Sequence, residues 1–303
     1  MAMALPTRYV ALDEGKEIIK EVKTSTLPFP KTVRVLALDM DGCALPNIPV
    51  SIKRGVETAA STRNRLIDEN RVFLDLAANL INETLADEVI ITSFSNRQNK
   101  HFDDSNAKVN RRDKSTIALP LIANELEKRM KKQNLSAKCM LDLFWLADIF
   151  GPQITRAGES FENALAQDIE KNSNYTHANS IWDNSKCLLV YALAHRYKAI
   201  YPEASITIEI IEDRKDIIKG IEDFFFSHPQ LLPNVFIQFS PYNSHHNYPD
   251  SDTFHPQTIQ GLGPTNRHYG WGLRALAIKK LQQNEKRIIS IVHLPLKFIN
   301  FIR

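Results

Sequence analysis

Short apolar runs recur along the chain, and longer stretches with helical periodicity lie between them. The runs are rich in β-branched residues and bounded by polar groups, which is typical of buried parallel strands. They lie at 33–38, 88–92, 139–143, 206–211 and 235–239. The helical patterns lie at about 72–86, 118–132, 186–200 and 215–226. Strands that alternate with helices predict an α/β fold with a mostly parallel sheet flanked by helices.

The two ends of the chain depart from this alternation. Residues 1–32 predict a hairpin and a linker, because the turn-like Asp13-Glu14-Gly15 lies between RYVAL and KEIIKEV, and prolines follow. After the core at 33–239, residues 240–266 are rich in Pro, Asn, Ser and His and predict a surface loop. A helix at about 271–284 and a basic, apolar tail complete a C-terminal extension over 240–303.

Composition narrows the class of protein without indicating its chemistry. The 303 residues are 43% hydrophobic and 24% charged, and the formal net charge is +3. This apolar fraction can form a sizeable core, and no stretch approaches the ~18 apolar residues of a membrane span. The balanced charge argues against a dedicated nucleic-acid binder. The three scattered cysteines do not suit a disulfide framework or a zinc cluster, so we expect a soluble protein of a reducing, cytoplasmic-type compartment.

Polar side chains follow the first two strands. Asp39 and Asp41 come directly after the first strand, where two carboxylates at the mouth of a parallel sheet repel each other unless a cation is bound. The alternative is a turn in which one aspartate is a cap, since Asp-Gly is common in turns. Thr92 and Ser93 end the second strand, where their hydroxyls could donate to a phosphate or cap a helix.

Two further features lie later in the chain. Lys186 opens a helix, where the helix dipole disfavours a cation, so the position indicates a nearby anion or else a solvated lysine. Glu212, Asp213 and Asp216 follow the fourth strand. They form either a second acidic cluster at the sheet edge or the acidic first turn of the next helix.

In this order the four segments resemble the motifs of the haloacid dehalogenase (HAD) superfamily of aspartate-nucleophile phosphohydrolases. VLALDMDG is similar to the first motif, IITSFSN to the second, the helix-opening Lys186 to the third, and IEIIEDRKD to the fourth. The resemblance covers about 33–239 and implies a HAD-like Rossmannoid core. The second aspartate of the first motif favours a phosphatase or phosphomutase within that superfamily.

The resemblance also implies roles for individual residues. Asp39 would be the nucleophile that forms an aspartyl-phosphate, and Asp41 would act as general acid and then as general base. Ser93 would bind the phosphoryl oxygens, or Thr92 would do so if the strand ends one residue earlier. Lys186 would neutralise charge on the nucleophile and on the phosphoryl group.

Mg²⁺ is the cofactor that the resemblance implies, because hard cations bind oxygen ligands. Its ligands would be the Asp39 side chain, the Asp41 backbone carbonyl, Asp213 and Glu212. Asp216 would contact these ligands without binding the metal itself, or it would orient Lys186.

Two insertions into the core bear on the substrate. They lie at about 43–71 and 145–180 and are small for a full cap domain. A site with little cover suits a phosphorylated protein, whereas a well-enclosed site would suit a sugar phosphate or a nucleotide. We favour the phosphoprotein, with the small phosphoester as the alternative.

The tail gives a last set of expectations. The lysine- and asparagine-rich style and the extra C-terminal segment resemble secreted effectors of intracellular bacteria such as Legionella, a group that includes a HAD-type protein tyrosine phosphatase. Residues 286–303 mix apolar and cationic residues, so they predict either contact with a membrane surface or a segment packed on the domain. A non-catalytic HAD-like module that docks on a membrane or a protein is the rival to an enzyme.

Overall fold

The alternating elements form one sheet with helices on both faces in the computed structural model of the chain. The structure describes residues 8–9, 11–13, 16–18, 30–45, 59–83, 86–98, 103–104, 106–107, 113–132, 138–146, 186–242, 256–267 and 269. Its strands are β1 (Arg8–Tyr9), β2 (Ala11–Asp13), β3 (Lys16–Ile18), β4 (Thr32–Leu38), β5 (Glu88–Ser93), β6 (Lys138–Asp142), β7 (Ser205–Glu212), β8 (Phe236–Pro241) and β9 (Ile259–Gln260). Its helices are α1 (Ala59–Glu69), α2 (Arg71–Asn82), α3 (Ser115–Lys132), α4 (Lys186–Ile200) and α5 (Lys215–Ser227), and a 3₁₀ turn lies at Pro229–Leu231.

Five parallel strands form the centre of the sheet, in the order β6-β5-β4-β7-β8. The short strands β1 and β9 pair antiparallel with its two edges. The predicted α/β class with a mostly parallel sheet is therefore confirmed. Strands β2 and β3 pair separately as an antiparallel hairpin, at the position where the sequence predicts one.

The central strand β4 packs against a helical layer on each face. Val35 faces the layer that contains α4 and α5, whereas Leu36 faces α1, α2 and α3. Both side chains are fully buried, and such burial contributes about 1.5–3 kcal/mol for each side chain. This alternation fixes the register of β4, and with it the residue at which the strand ends.

Some boundaries differ from those that the periodicity predicts. Helix α3 begins at Ser115, three residues before the predicted start at 118. The reason is a distant cap: the Asp103 carboxylate accepts the backbone N–H of Ser115 at 2.8 Å and that of Thr116 at 3.2 Å. Helix α2 ends at Asn82 rather than at 86, and α1 lies within the insertion predicted at 43–71.

The C-terminal extension is described only in part. The loop predicted over 240–266 contains β9, because the buried Ile259 pairs with Ile237 of β8. Nearly all of the insertion at 145–180, the helix predicted at 271–284 and the tail at 286–303 lie outside the described residues. Within the described part of the chain, no helix is both long enough and apolar enough to cross a membrane.

Candidate active site

The carboxyl ends of the central strands place several polar residues at one edge of the sheet. Leu38, the last residue of β4, is in register with Ser93 of β5 and with Ile211 of β7. The backbone N–H of Asp39 donates to the carbonyl of Ile211 at 2.9 Å. Asp39 therefore emerges between the ends of β5 and β7, at the edge where parallel sheets bind their ligands.

Lys186 joins two of the predicted site residues. Its ammonium group is 2.7 Å from Oδ1 of Asp39, a residue 147 positions away in the sequence, and it also pairs with the carboxylate of Glu212. Burial alone would lower the pKa of Lys186, but the two carboxylates outweigh burial and raise this pKa. Lys186 therefore stays charged. Its place in the first turn of α4 predicts a nearby anion, and the carboxylates of Asp39 and Glu212 are the anions found there.

The Asp39 carboxyl lacks sufficient positive charge around it. Burial raises its pKa from the ordinary 3.8 to about 7, although the charge of Lys186 acts in the opposite direction. The neighbouring carboxylates of Glu212 and Asp41 raise this pKa further. Without another cation, Asp39 is only partly ionised at neutral pH.

Asp39 also belongs to a cluster that could hold a metal ion. One potential ligand atom from each of Asp39, Cys43 and Asp213 lies within 4.8 Å of the other two. Burial raises the pKa of Asp213, and the negative charge of Asp39 adds to this effect. A cation bound between the two aspartates would relieve their repulsion.

Gly42 allows the loop after β4 to approach Asp213. Its φ is +91°, and a Cβ atom at this position would lie 2.3 Å from Oδ2 of Asp213. Both observations exclude any side chain larger than that of glycine without local rearrangement.

The third member of the cluster, Cys43, carries a buried thiol in the metal-free chain. Its thiol donates to the backbone carbonyl of Tyr242 at 3.1 Å. Burial raises the pKa of Cys43 well above its ordinary value, so the sulfur stays protonated. The donors that remain are carboxylate oxygens of Asp39 and Asp213, which suit a hard divalent cation.

The other acidic residues after β7 divide into two environments. Glu212 contacts Lys186 and is not part of the cluster of Asp39, Cys43 and Asp213. Asp216 lies in the first turn of α5, where its side chain is 67% exposed and pairs with Arg214. Lys186 contacts Asp39 and Glu212, whereas Asp216 contacts Arg214. A role of Asp216 behind the metal ligands or beside Lys186 stays a prediction.

The two hydroxyls at the end of β5 also have different surroundings. The Thr92 hydroxyl donates to the carbonyl of Asp142 in the neighbouring strand at 3.4 Å. Ser93 Oγ accepts the backbone N–H of Ser95 at 3.3 Å, which keeps its own hydrogen available for donation. This difference favours Ser93 over Thr92 as the hydroxyl that serves the site.

Arg97 is a site residue that the sequence motifs do not include. Its guanidinium group binds both carboxylate oxygens of Asp41, at 2.6 and 3.0 Å. The available signal was a pair of cations, Arg97 and Lys100, in the polar stretch after β5, a few residues beyond the hydroxyls. Nothing in that local pattern indicates that Arg97 reaches back to the loop after β4.

Comparisons of this chain with protein-family models, with curated proteins and with solved structures found no match.

Proposed function

We propose that the chain is a Mg²⁺-dependent phosphomonoester hydrolase that uses Asp39 as its nucleophile, as the resemblance to the HAD superfamily implies. The observation that carries this proposal is the contact of Asp39 with Lys186 beside Asp213. A buried, electron-rich carboxylate between a fixed cation and a second carboxylate suits attack on a phosphoryl group.

The proposed reaction has two steps. One oxygen of Asp39 attacks phosphorus, the bond to the ester oxygen breaks, and Asp41 gives that oxygen a proton. Asp41 then takes a proton from a water molecule, whose oxygen attacks the phosphorus of the aspartyl-phosphate. This attack releases inorganic phosphate and restores the Asp39 carboxylate.

The remaining residues stabilise charge during both steps. Lys186 holds Oδ1 of Asp39 and offsets the negative charge of the phosphoryl group. Ser93 donates its hydroxyl hydrogen to a phosphoryl oxygen. Mg²⁺, when bound by Asp39 and Asp213, would neutralise phosphoryl oxygens. The Asp41 carbonyl is a further proposed ligand.

A phosphoprotein is the proposed substrate class, and a small phosphoester is the alternative. The support is the modest length of the insertions at 43–71 and 145–180, which leaves little chain to enclose a small molecule. A panel of phosphotyrosine and phosphoserine peptides, sugar phosphates and nucleotides separates the two classes by their kcat/KM values.

The activity itself is tested with p-nitrophenyl phosphate in the presence of Mg²⁺ and, separately, of EDTA. We expect turnover that EDTA abolishes and that Asp39→Asn reduces to background. Asp223→Asn is the matched control, because Asp223 is 65% exposed on α5 and pairs only with Lys219 in the described contacts. Full activity in Asp39→Asn, or no turnover across the whole panel, contradicts the proposal, and the second result favours the non-catalytic docking module.

A further inference from the structure

Arg97 binds the Asp41 carboxylate through two hydrogen bonds. Nε of Arg97 donates to Oδ2 of Asp41 at 3.0 Å, and Nη2 donates to Oδ1 at 2.6 Å. Two parallel hydrogen bonds between a planar guanidinium and a planar carboxylate fix both the position and the tilt of the carboxylate. A lysine in the same place would fix its position only.

Arg97 is itself held from the other side. Its Nη1 donates to Oδ1 of Asp103 at 3.2 Å and to the backbone carbonyl of Asp113 at 2.8 Å. The Asp103 carboxylate also accepts the backbone N–H groups of Ser115 and Thr116, at the start of α3. The orientation of Asp41 is thus set by the beginning of a helix rather than by the loop after β4 alone.

The exposure of the pair is uneven. The Arg97 side chain is 0% exposed, whereas the Asp41 side chain is 29% exposed. A buried ion pair adds little net stability compared with apolar residues of similar size, so fold stability alone gives weak grounds for this arrangement. A buried arginine thus binds a carboxylate that is itself partly accessible to solvent.

Direct binding of the substrate phosphate by Arg97 fits these contacts poorly. Arginine has five N–H donors, and the two bonds to Asp41 with those to Asp103 and Asp113 occupy four of them. A fully buried guanidinium with at most one donor left is not placed to receive an anion.

We infer that Arg97 is a positioning residue, which holds the Asp41 carboxyl group in the orientation that proton transfer to the leaving oxygen requires. The bonds to Arg97 use one lone pair of each Asp41 oxygen, and the proton to be transferred, taken up from solvent at the exposed edge, sits on a second lone pair. This inference rests on the proposed function, in which Asp41 is the general acid. Proton donation matters most when the leaving oxygen is strongly basic, as in an alkyl phosphate, and least for the activated p-nitrophenyl phosphate. Disturbing the contact should therefore affect the first step of the two substrates unequally, and kcat/KM reports that step because the later attack of water is common to both.

The test compares wild type with Arg97→Lys, which keeps the positive charge but cannot form the two parallel hydrogen bonds to Asp41. For an alkyl phosphate we expect kcat/KM to fall by about ten- to a hundredfold, because a small misplacement of a catalytic group has an effect of that size. For p-nitrophenyl phosphate we expect a loss of only about threefold. In the Asp41→Asn background the same substitution should cause no further loss with p-nitrophenyl phosphate, since Arg97 acts through Asp41.

Two more variants make the result specific. Arg129→Lys is the matched control, because Arg129 pairs with Asp75 of α2 and with Glu125 of its own helix, α3. We expect it to match wild type on both substrates. Asp103→Asn keeps Oδ1, which accepts from both Arg97 and Ser115, but removes the negative charge that pairs with Arg97. It should repeat the unequal loss even if Arg97→Lys fails to fold. Thermal unfolding of each variant separates a local effect from loss of the fold.

Three outcomes overturn the positioning role in an active enzyme. They are an equal loss of kcat/KM on both substrates, an unchanged kcat/KM for the alkyl phosphate, and an additional loss in the Asp41→Asn background. A folded wild-type chain with no turnover of any phosphoester overturns the proposed function, and the positioning role with it.

Discussion

The raised pKa of Asp39 predicts that the proposed nucleophile destabilises the metal-free fold. In the folded chain Asp39 holds its proton up to a pH of about 7, whereas in the unfolded chain it ionises near 3.8. Because the folded state binds this proton more tightly, its stability should fall as the pH rises between these two values. Asp39→Asn carries a neutral side chain of the same shape at every pH and should escape this loss.

The size of the effect follows from the two values. Their separation corresponds to roughly 4 kcal/mol in the free energy of unfolding, at about 1.4 kcal/mol for each tenfold change in the proton equilibrium. Lys186 remains paired with Glu212 in the variant, so its own charge is not left without a partner. We therefore expect Asp39→Asn to be more stable than wild type by up to about 4 kcal/mol at pH 8, and by less than about 1 kcal/mol at pH 4.

Urea unfolding in EDTA at pH 4, 6 and 8 measures this difference. Asp223→Asn on the exposed face of α5 is the control, and it should stay within about 0.5 kcal/mol of wild type at each pH. A second arm adds Mg²⁺, which should stabilise wild type more than Asp39→Asn at pH 8, because the cation offsets a charge that the variant lacks. A gain that does not depend on pH, or an Asp39→Asn variant that is no more stable than wild type at pH 8, refutes the reasoning.

Two other substitutions probe the same edge of the sheet. Lys186→Met leaves the buried carboxylates of Asp39 and Glu212 without their cation, so we expect it to abolish turnover and to destabilise the fold by about 3–5 kcal/mol at pH 8; urea unfolding and p-nitrophenyl phosphate turnover measure this, and unchanged stability contradicts it. Gly42→Ala places a methyl group against Oδ2 of Asp213 at a positive φ and should cost about 1–3 kcal/mol. It should also raise the Mg²⁺ concentration needed for half-maximal activity, and an unchanged Mg²⁺ dependence contradicts the role given to Gly42.

The fold was predictable from the sequence because its signals are local. The apolar runs that become β4, β5 and β7 are buried on both faces, and the helix predicted at 186–200 has those bounds in the structure. Short edge strands such as β9 carry no such signal, since two residues are too few for a periodicity. The start of α3 was missed because the group that caps it, Asp103, lies outside the helix by more than ten residues.

The candidate site likewise contains residues that local sequence signals predict and residues that they do not. Asp39 and Lys186 follow from their places at a strand end and a helix start, two positions that the chain itself defines. The partners of Asp216 and Arg97 depend on where side chains point in space. Asp216 turns outward to Arg214, although it lies only a few residues from Glu212, and Arg97 spans the gap from the end of β5 to the loop after β4. Such contacts have no characteristic spacing in the sequence and cannot be predicted from it.

The distribution of charge at this edge accounts for the electrostatics of Asp39. Among the described residues, Arg97 is already shared between two carboxylates, those of Asp41 and Asp103. Lys186 is the cation in contact with Asp39, and it too is shared, with Glu212. Arg214 acts on Glu212 and Asp213 through its charge, but it pairs with the exposed Asp216. Burial therefore still raises the pKa of Asp39 beside a lysine. Under the proposed function, a divalent cation between Asp39 and Asp213 would supply the missing charge, and the same cation would offset the negative charge of a phosphoryl group. The acidic excess of the site would thus favour binding of metal and phosphate together over binding of phosphate alone.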